Sequence, residues 1–479
     1  MKRILFSMLA LSLLASCSEE FLDTTPYGQS TSFSFWRNAD DAIAAANALY
    51  EPLRSGNFYG HTEQTFEICS DDFWRAGDHG EDQAIEEFTF DPDNAQLRFG
   101  YALKYEIASR ANAILINVPN IVMDQQTKNT VLGEAHFMRG FAHWRLHVIY
   151  GEAPVLLEED AKNNNFDKPK SSIEEMRRAI ETDLLKAIEL LPDQSAQVTG
   201  GRPTKGTAAA YLTKLYVFWE KFNEAIATGN TVINNPNYRM ADSYAANFQI
   251  ATENNPEMLF AVQNLDGWAT TPYDIYTTPR PWGGWDFHEP IQDLIDEFEP
   301  GDPRLGHTVF QLGDTVDLGG TRGPTVYTEG LSQTNYHFRK FASWRPTGGL
   351  NRSQNVPLMR SAEVYLLVAE AKIRLNGAGA GDAEINAVRT RAGLAPKNGA
   401  KIEDLMHERR VELAGEHERH QDLMRWDKAN LIDIVQHYQI DRGQFKRPRA
   451  FQRPKHYYFA LPQREIDLSK GVLVQNPNY

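Results

Sequence analysis

Apolar residues recur at a helical period in several separated blocks of this chain. In residues 360–375 they are spaced three and four positions apart, which places them on one face of a helix. Stripes of the same kind cover residues 38–53, 96–118, 130–150, 171–191 and 204–218. The pattern therefore predicts a mainly α-helical protein whose helices each pack on one side.

Two of these blocks predict helical hairpins. Residues 208–235 contain a helix rich in alanine and aromatic residues, followed by a second helix that opens at 221–225. Residues 360–391 repeat this arrangement, with three glycines between 377 and 381 at the turn. Such pairs resemble degenerate tetratricopeptide hairpins, which bury their apolar faces only by stacking on one another. We therefore expect stacked tetratricopeptide-like helix pairs.

The amino-acid composition and the sequence pattern change between residues 235 and 355. Proline, glycine and aromatic residues dominate there, and long periodic runs are few, which predicts loops and short strands. Long irregular segments in a compact protein are often binding loops displayed by a rigid scaffold. The stretch 268–287 is especially rich in tryptophan and tyrosine. We therefore place the ligand-binding region here.

The first residues are typical of a secretory signal. Lys2 and Arg3 precede an apolar run at 4–15. At 1.5 Å per residue this run is too short for a helix to cross the roughly 30 Å apolar core of a bilayer. We therefore expect residues 1–16 to be an export signal that is removed.

The signal ends in Leu-Ala-Ser-Cys at 14–17, which is similar to the lipobox of bacterial lipoproteins. That similarity implies cleavage before Cys17 and lipid attachment to it, and several acyl chains hold a protein stably at a membrane. Ser-Glu-Glu at 18–20 resembles the signal that sends such lipoproteins to the cell exterior. We expect an outer-membrane protein that is anchored by lipid and faces outward.

The cysteine count argues against a disulfide-bonded fold, and the net charge argues against a nucleic-acid partner. The chain has two cysteines, and an acylated Cys17 cannot pair with Cys69, so we expect no disulfide. The formal net charge is −15 and no basic block offsets it, which argues against nucleic-acid binding. Membrane attachment then depends on the lipid rather than on a polybasic surface.

Catalytic motifs are missing from the sequence. It contains neither a G-x-S-x-G nucleophile elbow nor an H-E-x-x-H zinc helix. We therefore expect a protein that is not an enzyme and needs no cofactor or metal. A glycosidase needs only one carboxyl pair at a defined separation, which sequence cannot show among 64 acidic residues. A lipid-anchored glycosidase therefore stays open as an alternative.

Several motifs in combination resemble the SusD/RagB family, over nearly the whole chain that follows the signal. Among them are RSAEVYL at 360–366, ERRVEL at 408–413 and the ending QNPNY. Further matching segments are 134–140, 150–154, 201–205, 369–371 and 388–394. The resemblance implies a mainly α SusD-like fold with an N-terminal helical part at 17–235 and a C-terminal part with the ligand loops at 236–479, together one continuous fold.

The family resemblance also implies a function. It predicts a cell-surface lipoprotein that binds a glycan or oligosaccharide and passes it to a SusC-like TonB-dependent outer-membrane transporter. A peptide-binding member of the same family is the alternative.

Sugar rings offer flat C–H faces and a rim of hydroxyls, so a sugar site needs exposed aromatic planes and a few polar groups. We assign Trp144 and Trp219 to the core because they lie in helical stripes. The expected ligand-binding aromatics stand in loops and are Trp74, Trp268, Tyr273, Trp282, Trp285 and Trp344. The tryptophans among them are expected to form one exposed platform, with Arg75 and Asp286 binding hydroxyls.

Overall fold

The structure is a computed structural model that describes residues 35–194, 201–268, 270–439 and 449–479. The expected signal sequence, Cys17 and the acidic residues that follow it lie outside the described residues. Within the described residues, no helix is both long enough and apolar enough to cross a bilayer.

Helices account for most of the regular structure, as the periodicity predicted. They are α1 (Ala39–Ala48), α2 (Thr62–Glu67), α3 (Gly80–Glu87), α4 (Ala95–Asn117), α5 (Gln125–Tyr150), α6 (Glu158–Lys162), α7 (Ile173–Leu190), α8 (Lys205–Phe218), α9 (Phe222–Ile233), α10 (Tyr273–Thr277), α11 (Gln292–Glu297), α12 (Leu305–Thr308), α13 (Ser361–Asn376), α14 (Asp382–Arg391), α15 (Ile402–Leu413), α16 (Arg419–Lys428), α17 (Ile434–Gln439) and α18 (Gln463–Leu468). Each predicted stripe overlaps one of the longer helices.

Local sequence determines where the long helices begin. The Ser172 hydroxyl accepts the backbone N–H of Glu175, and the Glu175 carboxylate accepts the N–H of Ser172, which forms a capping box at the start of α7. Thr204 caps α8 through the N–H of Thr207 in the same way. Both residues satisfy backbone donors that have no partner inside a helix.

The helices stack in hairpins. Helix α5 packs between α4 and α7, and the α8–α9 pair packs against α13, which forms its own hairpin with α14. Gly229 allows the close approach of α9 to α13, since a β-carbon there would lie 2.3 Å from Val368 Cγ2. Trp144 is buried in the core as predicted, whereas Trp219 is only half-buried.

Short antiparallel pairs of strands interrupt the helices, mostly in the region predicted to be loops and strands. They are β1 (Phe73–Arg75) with β3 (His288–Pro290), β2 (Met258–Val262) with β8 (Val356–Arg360), β4 (Val309–Phe310) with β7 (His337–Phe338), and β5 (Thr315–Asp317) with β6 (Pro324–Val326). The β1–β3 pair joins an N-terminal loop to the aromatic stretch of the C-terminal part.

Candidate ligand-binding site

The β1–β3 ladder brings together two segments that the sequence singled out separately. Trp74 pairs with Glu289, and Arg75 pairs with His288. Because side chains alternate along a strand, Trp74 and Arg75 point to opposite faces of this ladder. The two faces have different chemistry, one being aromatic and the other a polar network.

An aromatic cluster lies on the Arg75 face. Trp285 is 46% exposed, and its ring meets Tyr276 nearly edge-on at a centroid distance of 5.2 Å and Phe287 at 5.8 Å. Tyr276 and Phe287 are buried beneath it. We call these three rings the Trp285 platform. Edge-on aromatic packing of this kind fixes the orientation of the exposed ring.

Arg75 supports this platform from inside. The residue is buried, its guanidinium lies 4.4 Å from the centroid of the Phe287 ring, and its Nε donates to Asp82 Oδ2 at 3.2 Å. The expectation that Arg75 is displayed at the surface is therefore corrected. The reason is the strand alternation of β1, which turns this side chain inward.

Trp282 is also turned inward. It is 2% exposed and packs edge-on against Phe310, Tyr327 and Trp344. Trp344 is half-buried, and its indole Nε1 donates to the carbonyl of Trp282 at 3.3 Å. This pair belongs to a small apolar cluster beside the strands β4 to β7, so the expectation of one continuous tryptophan platform is wrong.

Tyr273 is a core residue. Its hydroxyl donates to the carbonyl of Gly415 at 2.8 Å, and its ring packs on Phe341 and His417. The ring therefore faces the helical core and not the loop surface where it was expected.

Trp268, by contrast, stands in solvent at 89% exposure. Its loop is braced at Asp266, whose Oδ1 accepts from Arg345 Nη2 at 2.6 Å, and at Asn264, whose Oδ1 accepts the backbone N–H of Thr271. Among the described residues, no ring contact joins Trp268 to the Trp285 platform. The structure thus offers two separate exposed indoles.

The opposite face of the ladder carries a hydrogen-bonded network. Half-buried Trp74 donates from Nε1 to Gln333 Oε1 at 2.9 Å. The Glu289 carboxylate accepts the backbone N–H groups of Gln333 and Thr334 at 3.1 and 2.8 Å. Trp74 is therefore held by the same loop that covers Glu289.

Asp286 continues this network with its backbone in the left-handed region at φ 60°. His337 Nε2 lies 2.6 Å from Asp286 Oδ1, and His337 Nδ1 lies 2.7 Å from the Tyr327 hydroxyl. Asp286 is mostly buried, so its carboxylate has a partner inside the protein and is not free to meet a ligand hydroxyl.

Burial changes the acidity of these carboxyls. It raises the pKa of Asp286 to about 6, and burial together with the charge of Asp286 raises the pKa of Glu289 to about 7. Glu289 is fully buried and accepts two backbone N–H groups, and Asp286 lies against His337. Both carboxyls are therefore engaged inside the protein, which fits a structural role.

Comparisons with known proteins cover nearly the whole chain. Residues 237–479 match the model of the SusD family, and residues 20–217 match a model described as starch-binding associating with outer membrane. SusD-like protein P2 of Formosa agariphila is 26% identical over 520 aligned positions, which span 100% of this chain and 99% of that protein.

Solved structures share the fold. A laminarin-binding SusD-like protein superposes with a TM-score of 0.77 at 26% identity, covering 93% of this chain and 100% of that one. Surface glycan-binding protein A from Bacteroides thetaiotaomicron, in complex with laminarihexaose, gives 0.76 at 20% identity and covers 92% and 99%. These likenesses confirm the mainly α SusD-like fold. Because family models match both halves of the chain, this protein belongs to the SusD/RagB family.

Proposed function

We propose that this protein binds an oligosaccharide at the cell surface, with one sugar ring stacked on Trp285. The observation that carries the proposal is the Trp285 platform, in which a half-exposed indole rests on buried Tyr276 and Phe287. A rigid, amphipathic ring held in this way suits the flat C–H face of a sugar. Two structural relatives are named for binding laminarin or laminarihexaose, which supports a glycan ligand.

Polar groups beside the platform supply the hydroxyl contacts. Arg280 is exposed, and its Nε donates to the carbonyl of Trp285 at 3.1 Å, which places its guanidinium next to the indole. His79 is exposed, and its ring packs on Phe287 at 4.9 Å. These two residues replace Arg75 and Asp286 as the proposed partners of sugar hydroxyls. Trp268 is a second, separate stacking surface for a longer chain.

The cellular role follows from the N-terminal sequence and the family. We infer that Cys17 carries the lipid anchor, that the protein faces the cell exterior from the outer membrane, and that it passes its glycan to a SusC-like TonB-dependent transporter. The family model described as associating with the outer membrane supports this location. The role requires binding without catalysis, which fits the missing catalytic motifs and the structural use of Asp286 and Glu289.

Calorimetric titration of the protein with laminarin oligosaccharides, other neutral glycans and oligopeptides tests the proposal. Trp285→Ala should lower glycan affinity by at least about tenfold, because stacked aromatic contacts are worth about 1–3 kcal/mol. Trp219→Ala, a half-buried tryptophan away from this site, is the matched control and should bind normally. Equal affinity of Trp285→Ala and wild type would contradict the site, binding of peptides alone would favour the peptide alternative, and release of shorter sugars would indicate a glycosidase.

A further inference from the structure

Beneath the Trp285 platform, three buried side chains from distant parts of the chain converge. They are His61 before α2, Asp82 in α3 and His288 in β3. One ligand atom from each lies within 4.8 Å of the other two, and His61 Nε2 is 2.8 Å from Asp82 Oδ2. Two imidazoles and a carboxylate at this spacing are a ligand set for a transition metal.

Two atoms of this cluster have no hydrogen-bond partner among the described residues. His288 Nδ1 lies 2.8 Å from Gln64 Oε1, an acceptor, so Nδ1 carries the proton and Nε2 presents a lone pair. That Nε2 and Asp82 Oδ1 are both buried without a partner. Buried acceptors without a donor are costly, so they indicate a group that is meant to interact with them.

The hydrogen bonds favour the form of these residues that binds metals. Ligation requires a neutral histidine and an ionised carboxylate. The Gln64 acceptor beside His288 Nδ1 leaves Nε2 of that ring as the atom with a lone pair. Arg75 Nε donates to Asp82 Oδ2, as a guanidinium does to a carboxylate.

We propose that His61, Asp82 and His288 bind one first-row transition-metal ion of the Zn²⁺ type. Imidazole nitrogens favour such an ion over Ca²⁺ or Mg²⁺, which take oxygen ligands. The three ligand atoms already lie within 4.8 Å of one another, and metal–nitrogen distances near 2.0–2.1 Å would then set their final separations. Gln64 is the outer-sphere partner that orients His288, as a second hydrogen bond does for most metal-bound histidines.

Two neighbours shape this site. Arg75 Nε lies 3.2 Å from Asp82 Oδ2, so the carboxylate is shared between the guanidinium and the metal. Buried Glu86, whose Oε1 accepts the backbone N–H of Arg75, is a further negative charge nearby. On the solvent side, His79 Nδ1 lies 3.9 Å from Asp82 Oδ2, and its side chain is half-exposed. His79 is therefore the entry point for the ion and the candidate fourth ligand.

The metal would stiffen the floor of the Trp285 platform. The His61 ring stacks on Tyr276 with centroids 4.3 Å apart and an interplanar angle of 4°, and the His79 ring packs on Phe287. An ion that fixes these imidazoles also fixes the rings that carry Trp285. This consequence rests on the proposed glycan function, whereas metal binding itself does not.

The test uses the mature chain without a histidine tag. The protein is stripped with chelator, dialysed against ZnSO₄ or CoCl₂, and analysed for metal content by mass spectrometry and, for Co²⁺, by visible absorption. Wild type should hold one ion per chain and give an intense tetrahedral Co²⁺ band. His288→Ala and the nearly isosteric Asp82→Asn should lose both. His307→Ala, an exposed histidine elsewhere, is the control and should retain the ion.

Absence of a bound ion in wild type, or equal metal content in wild type, His288→Ala and Asp82→Asn, would overturn the site. Circular dichroism verifies that the variants fold. If His288→Ala does not fold, the metal content of Asp82→Asn still decides the test. Trp285→Ala should keep its metal while losing glycan affinity. Metal retained in a wild type that binds no glycan would thus refute the proposed function and leave the metal site standing.

Discussion

The guanidinium of Arg75 lies 4.4 Å from the centroid of the Phe287 ring, while its Nε donates to Asp82. This buried cation connects β1 to the segment that carries Trp285, although Arg75 and Phe287 are far apart in sequence. The contact explains how a short two-stranded ladder can hold a binding surface rigidly, because the charge is satisfied by Asp82 and the ring covers it.

Replacement of Arg75 by methionine should therefore destabilise the protein. Arg75→Met leaves the Asp82 carboxylate buried without its guanidinium partner, and breaking a buried pair on one side costs about 3 kcal/mol or more. Urea unfolding followed by circular dichroism measures this loss. Arg280→Met is the matched control, since exposed Arg280 should change unfolding by less than about 0.5 kcal/mol and reduce glycan affinity instead. Similar unfolding midpoints for both variants would contradict a supporting role for Arg75.

Substitution of Trp282 should mainly lower the stability of the protein, whereas substitution of Trp285 should mainly lower glycan affinity. Trp282 fills the apolar cluster with Phe310 and Tyr327, so Trp282→Ala should lower the free energy of unfolding by about 3–5 kcal/mol through the cavity it leaves. Trp285→Ala should cost far less because its ring is half-exposed. Thermal melting and glycan titration of both variants, measured at a temperature where both are folded, provide the comparison. A stable Trp282→Ala protein that has lost its ligand would reverse our assignment of the two residues.

These two tryptophans also show where sequence analysis stops. Both stand beside Gly283 and Gly284, so composition gives each the same prediction of an exposed loop residue. The structure reverses the chain between them, with Gly283 at φ 105° and Gly284 so close to Thr278 that a β-carbon would lie 2.0 Å from its carbonyl oxygen. That reversal turns one indole inward and the other outward. The direction in which each indole points depends on this contact with Thr278, which the sequence pattern does not reveal.

The long helices could be predicted because their sequence signals are local and do not depend on tertiary contacts. Their apolar stripes and caps, such as Ser172 and Thr204, are local signals repeated over many residues. The three residues of β1 are too few for a period of two to be recognised, so the inward turn of Arg75 could not be inferred. Tyr276 and Phe287 belong to the aromatic stretch noted in the sequence, but their role depends on packing against residues from distant segments, including His61.

The stacking of the two helical hairpins can be tested at Gly229. An alanine there would place its β-carbon 2.3 Å from Val368 Cγ2, which forces α9 away from α13. Gly229→Ala should therefore destabilise the protein by about 1–3 kcal/mol, as overpacking of a core does. The double variant Gly229→Ala/Val368→Ala should be less destabilised than the sum of its parts in urea unfolding. Gly306→Ala, where a β-carbon meets no neighbour, is the control and should be close to neutral.

The raised pKa of Asp286 gives stability a specific dependence on pH. Burial raises this pKa to about 6 from its ordinary value near 3.8, so the folded protein keeps a proton that the unfolded chain releases. The stability contributed by the protonated carboxyl is fully present below about pH 4 and is lost as the pH rises through about 6. Because the group is partly screened by solvent, the loss should be on the order of 1–2 kcal/mol.

Asp286→Asn should remove this dependence, since the amide stays neutral at every pH and asparagine tolerates the left-handed backbone found here. The asparagine amide, which can both donate and accept, keeps the hydrogen bond to His337 Nε2, so the network of β7 is retained. The difference in unfolding free energy, wild type minus Asp286→Asn, should thus fall by about 1–2 kcal/mol between pH 4 and pH 7 in urea titrations. Asp93→Asn, at an exposed turn, should give a flat difference. A difference for Asp286→Asn that rises with pH would mean that the carboxylate is stabilised when ionised, which would contradict its burial beside Glu289.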